Sequence, residues 1–203
     1  MSDLPFFHLN LRRNPFGELT AAERTKLAIV EFDAALQHLT LPRSVIQVVG
    51  EKGFGKTTHL LALAAHFTEN VFVYIPEGKR VAIPAEGEPL FIDEAQRMTF
   101  LQRWQTFRSQ RRLILGTHTN FEQTMRRAGR SVLTIAADQF TDASRVQNLL
   151  NARIEFARRD MGPIPGISQA TAAELFRQFG SDIRGIEHSM YLTFQGLRNI
   201  QDV

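Results

Sequence analysis

Up to Asp138, short apolar runs alternate with stretches whose apolar residues return every three or four positions. The runs are Val45-Ile46-Gln47-Val48-Val49, Val71-Phe72-Val73-Tyr74-Ile75, Leu90-Phe91-Ile92, Leu113-Ile114-Leu115 and Val132-Leu133-Thr134-Ile135. Near-continuous apolar runs of this length read as strands buried on both faces. Helices are predicted between them: one over residues 59–65, one with Phe100, Trp104 and Phe107 as its apolar face, and a short one burying Phe121, Met125 and Ala128. Alternation of strand and helix predicts an α/β fold with a five-stranded, mainly parallel sheet.

The flanks follow other rules. Residues 1–19 are irregular, with Pro5, Pro15 and Gly17 among aromatics. Thr20-Ala21-Ala22-Glu23 has the spacing of a capping box and predicts one helix that aligns Ile29, Phe32, Leu36 and Leu39 and stops before Pro42. From Pro76 to Pro89 the chain is rich in Pro, Gly and Glu, with at most a short strand over residues 81–83, a lean connection for a parallel crossover. After Asp138 the pattern is helical only. Asp142 caps a helix with Val146, Leu150, Ile154 and Ala157 inward, and Ser168 caps one with Ala172, Leu175, Phe176 and Phe179 inward. Ser181 or Asp182 caps a third, burying Ile183, Ile186, Met190, Phe194 and Leu197. The expected division is a core over residues 1–138 and a three-helix lid over 139–203.

Composition changes this picture little. A chain of 203 residues, 43% hydrophobic, can bury a core of its own. No apolar run has membrane-spanning length, and Met1-Ser2-Asp3-Leu4-Pro5 lacks the basic and apolar regions of a signal peptide, so a cytoplasmic location is expected. The absence of Cys rules out disulfides and thiolate metal sites. Net charge is only +3, and the preponderance of Arg over Lys suits polyanion contacts but equally follows genome composition.

Chemistry enters at Gly50-Glu51-Lys52-Gly53-Phe54-Gly55-Lys56-Thr57, which satisfies every position of the phosphate-loop pattern and sits between a predicted strand and a predicted helix. Glycines let successive backbone N–H groups converge on phosphate oxygens at a helix N-terminus, with Thr58 in the same first turn. Lys56 is expected to reach the terminal phosphates of ATP and Thr57 to ligate Mg²⁺. Asp93-Glu94 closes the third apolar run; Asp93 is the expected second Mg²⁺ ligand and Glu94 the base that activates water. Gly116-Thr117-His118 ends the fourth run, on the strand expected to neighbour both motifs. Arg184 stands in the first turn of the last helix, where a cation opposes the helix dipole unless a phosphate faces it.

In this order the motifs resemble those of AAA+ ATPases: Walker A over residues 50–57, Walker B over 90–94, sensor 1 at Thr117-His118, and a helical lid bearing sensor 2 at Arg184. The resemblance runs from Asn14-Pro15-Phe16, which looks like the family's adenine-side segment, to the last helix. Within the family the chain is similar to small bacterial ATPases of the transposition and secretion type. The resemblance implies ATP and Mg²⁺ as cofactors and a homo-oligomer. It also implies an arginine finger among Arg126, Arg127 and Arg130, with Arg130 the first choice. Two departures stand out: sensor 1 is often Asn in the family, and the 76–89 segment leaves no helix on which to mount pore loops. The expected function is an ATP-hydrolysing switch that acts as an oligomer on a protein or nucleic-acid partner. Arg103, Arg108, Arg111 and Arg112 are the expected phosphate contacts if that partner is DNA. An ATP-sensing adaptor with little hydrolysis is the alternative, and a small-molecule phosphotransferase is a third class.

Overall fold

All five apolar runs become strands: β1 (Ser44–Val49), β2 (Val71–Tyr74), β3 (Leu90–Asp93), β4 (Leu113–Thr117) and β5 (Ser131–Ala136). In the computed structural model, which describes residues 5–29, 32–139 and 141–203, they pair in the order β2-β3-β4-β1-β5, every pairing parallel. Two compact units result: Arg24–Gln139, which contains the sheet, and a helical unit made of the chain after Gln139 together with the segment up to Glu23.

Side-chain alternation along the strands sorts the core of the sheet unit into two layers. Val45, Leu90, Ile92, Leu113 and Leu115 face one way, toward Met98, Phe107, Phe121 and Met125. Ile46, Val48, Phe91 and Ile114 face the other, toward Ala35, Leu39, Leu60 and Leu63. The first layer is covered by α4 (Phe100–Arg108) and α5 (Glu122–Arg127), the second by α2 (Asp33–His38) and α3 (Lys56–Ala64). A parallel sheet needs both covers, because neither face of its strands is polar. Gln47, fully buried on β1, meets its needs within the unit: its amide donates to Asn120 and to the Thr134 hydroxyl, and its carbonyl accepts from the Phe121 N–H.

Three expectations change here. The capping box at Thr20 and Glu23 is formed, but α1 (Ala21–Lys26) ends there, and α2 is a separate helix. Val30 and Glu31 of the predicted single helix lie outside the described residues. Short α1 buries none of its residues, so no packing rewards its extension. Residues 81–83 form no strand; Val81 and Ile83 pack against the α4 side of the core, and the Val81 carbonyl accepts from Gln102 Nε2 at 2.7 Å. On α4 only Phe107 of the expected apolar face is buried, whereas Phe100 is 77% and Trp104 48% exposed. Among its residues only Thr106 and Phe107, in the last turn, are buried, while the first turn behind the Thr99–Gln102 capping box stays outside the core.

In the helical unit, α6 (Ala143–Ala157), α7 (Gln169–Phe179) and α8 (Ile183–Gly196) bury the residues their periodicity selects, among them Leu150, Ile154, Leu175, Met190 and Phe194. The N-terminal segment belongs to this core rather than to the sheet unit: Leu9, Leu11 and Phe16 are buried in it. Arg153 of α6 fastens the segment by donating to the Pro15 and Gly17 carbonyls while pairing with Glu187. Asn14 accepts from the Phe16 N–H and donates to the Tyr191 carbonyl, and Phe16 meets Phe194 edge-on at 5.1 Å. The Asn14 and Phe16 side chains and the Pro15 carbonyl thereby help to hold this unit together. Among the described residues no helix is long and apolar enough to cross a membrane.

Candidate functional site

The strand order decides what meets at the carboxyl edge of the sheet. β4 lies between β1 and β3, with Val49 in register with Thr117 and Asp93 with Gly116. The phosphate-loop motif, the paired acids and the Gly-Thr-His motif therefore emerge side by side, as ligand sites do in open parallel sheets.

Between β1 and α3 the chain turns through residues 50–55. Gly53 (φ 96°) and Gly55 (φ 82°) hold left-handed conformations that any Cβ would strain. The first N–H groups of α3 have no acceptor within the helix and carry the positive end of its dipole. Lys56 is buried, and its ammonium donates to the Gly50 and Glu51 carbonyls at 2.8 and 2.9 Å and lies 3.3 Å from His118 Nε2. Glu51 and Lys52 are exposed at the loop tip, Phe54 packs against the α3 side of the core, and Thr58 is half-buried in the first turn of α3.

Thr57 Oγ1 donates to Asp93 Oδ2 at 2.6 Å, and the Glu94 N–H donates to Asp93 Oδ1 at 3.0 Å. Asp93 is fully buried, and burial raises its pKa above the ordinary carboxylate value despite the Thr57 bond. Gly116 makes this possible: a Cβ there would stand 2.5 Å from Asp93 Oδ1. Thr57 and Asp93 supply hard oxygens, the donor type that Mg²⁺ takes when water and phosphate complete its shell, so the pair fits that ion.

Glu94 follows β3 with φ 61°, a left-handed conformation uncommon outside glycine and concentrated at functional sites. Its side chain is 14% exposed; Oε2 accepts from Gln96 Nε2 at 2.7 Å and pairs with Arg97 at 3.1 Å. Oε1 lies 3.6 Å from His118 Nε2, and His118 Nδ1 lies 3.7 Å from a Glu51 carboxylate oxygen. Of the two sensor 1 candidates, His118 faces the loop lysine. The Thr117 hydroxyl is instead spent on a turn with Thr119.

Arg130 needs a correction. It is 4% exposed, and its guanidinium donates to carbonyls of Arg43, Thr106, Phe107, Ser109 and Arg111 and to the Ser109 hydroxyl. Burial and the nearby Arg43 charge push its pKa down to about 10, which still leaves it charged at neutral pH. Such a residue knots the end of α4 to the start of β5 and cannot extend into a neighbouring subunit. Arg126 is pinned by Glu122 and the Val132 carbonyl, while Arg127, in the last turn of α5, is exposed. Arg184 is exposed in the first turn of α8, beside the Asp182 cap, in the helical unit. Gln96 and Arg97 are the site residues that motif reading missed; both lie in the one-turn 3₁₀ helix right after Glu94, close enough in sequence to have been suspected.

No protein-family model and no curated protein sequence matches this chain. Its fold does match solved structures. A structure of Thermotoga maritima RuvB described as a Holliday junction branch migration motor aligns at TM-score 0.54, with 17% identity over 91% of this chain and 65% of that one. Two single-residue variants of the same RuvB align at TM-scores of 0.56 and 0.51, again at 17% identity, over 91% and 86% of this chain and 66% and 61% of theirs. The chain therefore spans somewhat less than two thirds of the length of the proteins it matches, and the likeness is one of fold.

Proposed function

We propose, on the footing of an AAA+ P-loop ATPase fold shared with RuvB, that this chain binds ATP at residues 50–58 and hydrolyses it. The reading rests chiefly on one observation: Lys56, the Thr57–Asp93 pair and the Glu94–His118 pair converge at the carboxyl edge of three adjacent strands. The loop N–H groups and the α3 N-terminus hold the phosphates, and Lys56 adds a full positive charge beside them. Thr57 and Asp93 would hold Mg²⁺, which neutralises phosphate charge when bound. Glu94 accepts the proton of the attacking water. His118, adjacent to both Lys56 and Glu94, reports the terminal phosphate, the part that sensor 1 plays in this fold. Arg184 is the helical unit's proposed nucleotide contact.

The switch works as a homo-oligomer on a protein or nucleic-acid partner, with Arg127 in place of Arg130 as the arginine supplied to a neighbour's site. Binding of a fluorescent ATP analogue and phosphate release test the core of this reading. Lys56→Ala should abolish binding. Glu94→Gln should keep affinity within about threefold while lowering turnover by about a hundredfold or more, the range for a lost general base. Equal turnover in Glu94→Gln and wild type would remove Glu94 from catalysis, and a wild type that binds ATP without turnover would leave the adaptor reading.

A further inference from the structure

The two oxygens of the Glu94 carboxylate are not equivalent. Oε2 takes both strong donors, Gln96 Nε2 at 2.7 Å and Arg97 Nη2 at 3.1 Å, whereas Oε1, among the described residues, meets only His118 Nε2, at 3.6 Å. Each donor is itself held. Arg97 Nη1 donates to the Ile75 carbonyl beyond the end of β2 at 2.9 Å, and Gln96 Oε1 accepts from the His118 N–H beyond the end of β4 at 3.2 Å. Gln96 and Arg97 thus brace one side of the carboxylate against the two strands that flank β3.

We propose that Gln96 and Arg97 are positioning residues for hydrolysis: by occupying Oε2 they fix the rotation of the carboxylate and present Oε1 as the proton acceptor toward the loop. This rests on the assignment of Glu94 as the base. A carboxylate left to rotate would spend part of its time with neither oxygen aligned, and orientation losses of this kind act on the chemical step rather than on ground-state binding. A Gln at 96 can satisfy both neighbours at once, donating to Glu94 and accepting from His118, which no apolar or purely donating side chain can do.

The test compares Gln96→Ala, Gln96→Glu, Arg97→Ala and Arg97→Lys with wild type and Glu94→Gln. Gln96→Ala and Arg97→Ala should each lower kcat by about tenfold or more with KM and ATP affinity within about threefold, the signature of an interaction used only in the transition state. Arg97→Lys, which keeps a cation but not the fork, should recover part of the loss, and Gln96→Glu, which sets a like charge against Oε2, should do worse than Gln96→Ala. Carbodiimide labelling of carboxylates in nucleotide-free protein, read by mass spectrometry, gives a measure independent of turnover: Glu94 should label faster in both alanine variants. Thermal melting and ATP binding establish that each variant is folded. If Glu94→Gln is inactive while both alanine variants keep wild-type kcat and labelling, the positioning role is overturned and the ATPase reading stands. Higher turnover in Arg97→Ala would overturn it too, by making Arg97 a restraint rather than a guide. Loss of the distinction between wild type and Glu94→Gln overturns both readings together.

Discussion

Asp93 shows what a functional residue costs at the scale of a single side chain. A buried carboxylate is poorly solvated, and here the Thr57 hydroxyl, the Glu94 N–H and the Lys56 charge offset part of the loss. Its raised pKa means that the folded chain binds this proton more tightly than the unfolded chain does. The stability Asp93 contributes is therefore fully present below the unfolded value of 3.8 and is lost as pH rises through the folded value. Asp93→Asn keeps the shape and removes the charge. The melting temperature of the nucleotide-free Asn variant should thus gain on wild type as pH rises from the acid range to neutrality, while ATP binding in the presence of Mg²⁺ weakens by about tenfold or more. A difference in melting temperature that is flat with pH would show that burial does not penalise this charge.

At the scale of elements, the segment joining α4, β4 and β5 is held by Arg130 rather than by apolar contact alone. Its donors satisfy carbonyls at the α4 C-terminus, where helix carbonyls have no intrahelical partner. Arg130→Ala should unfold the protein more easily, by about 3 kcal/mol or more, because several buried carbonyls lose their donor together. For a chain of this size that is a drop of roughly 6–12 °C in melting temperature. Arg127→Ala, on the exposed side of α5, should leave melting unchanged. If Arg130→Ala melts like wild type, the knot contributes little. The pair of α4 aromatics follows the same logic: Phe107 is core, whereas Phe100 and Trp104 are surface, Trp104 with Arg108 stacked over its ring at 4.8 Å. Two of the four arginines expected on phosphate are also engaged, Arg111 with three carbonyls of residues 84–87 and Arg112 with Glu88. That leaves Arg103 and Arg108 as the members of that set to weigh for nucleic-acid contact.

For the whole molecule, the trans assignment of Arg127 makes the most exposed prediction. An arginine supplied across an interface stabilises transition-state charge and can be worth several orders of magnitude in rate. Specific activity should rise with protein concentration. Arg127→Ala should lose turnover while binding ATP normally, and mixing it with Lys56→Ala should restore part of the activity, since each subunit supplies what the other lacks. Flat specific activity from a protein that stays monomeric with ATP would end this reading; its simpler competitor is a cation near a helix C-terminus, worth a few tenths of a kcal/mol without any partner.

Whatever depends on local pattern can be read from the chain directly. The five strands, the glycine-dependent loop, the capped helices of the helical unit and their buried faces all follow from spacing, φ preference and hydrogen-bonding groups within a few residues of one another. Lys56, Thr57, Asp93 and Glu94 were legible as a candidate site for the same reason. Which surfaces meet depends on contacts between distant parts of the chain. An Arg after a helix looks the same whether it reaches outward or, like Arg130, lies under six acceptors brought from distant parts of the chain. Aromatics at helical spacing look like a core face, yet only the last turn of α4 meets the sheet and Phe100 and Trp104 stay outside. Asn14-Pro15-Phe16 shows in sequence none of its partners: Arg153, Tyr191 and Phe194, more than a hundred residues later, meet its carbonyl, amide and ring. The fate of these side chains is set by partners far away in sequence, and such partners leave no imprint on the neighbouring residues.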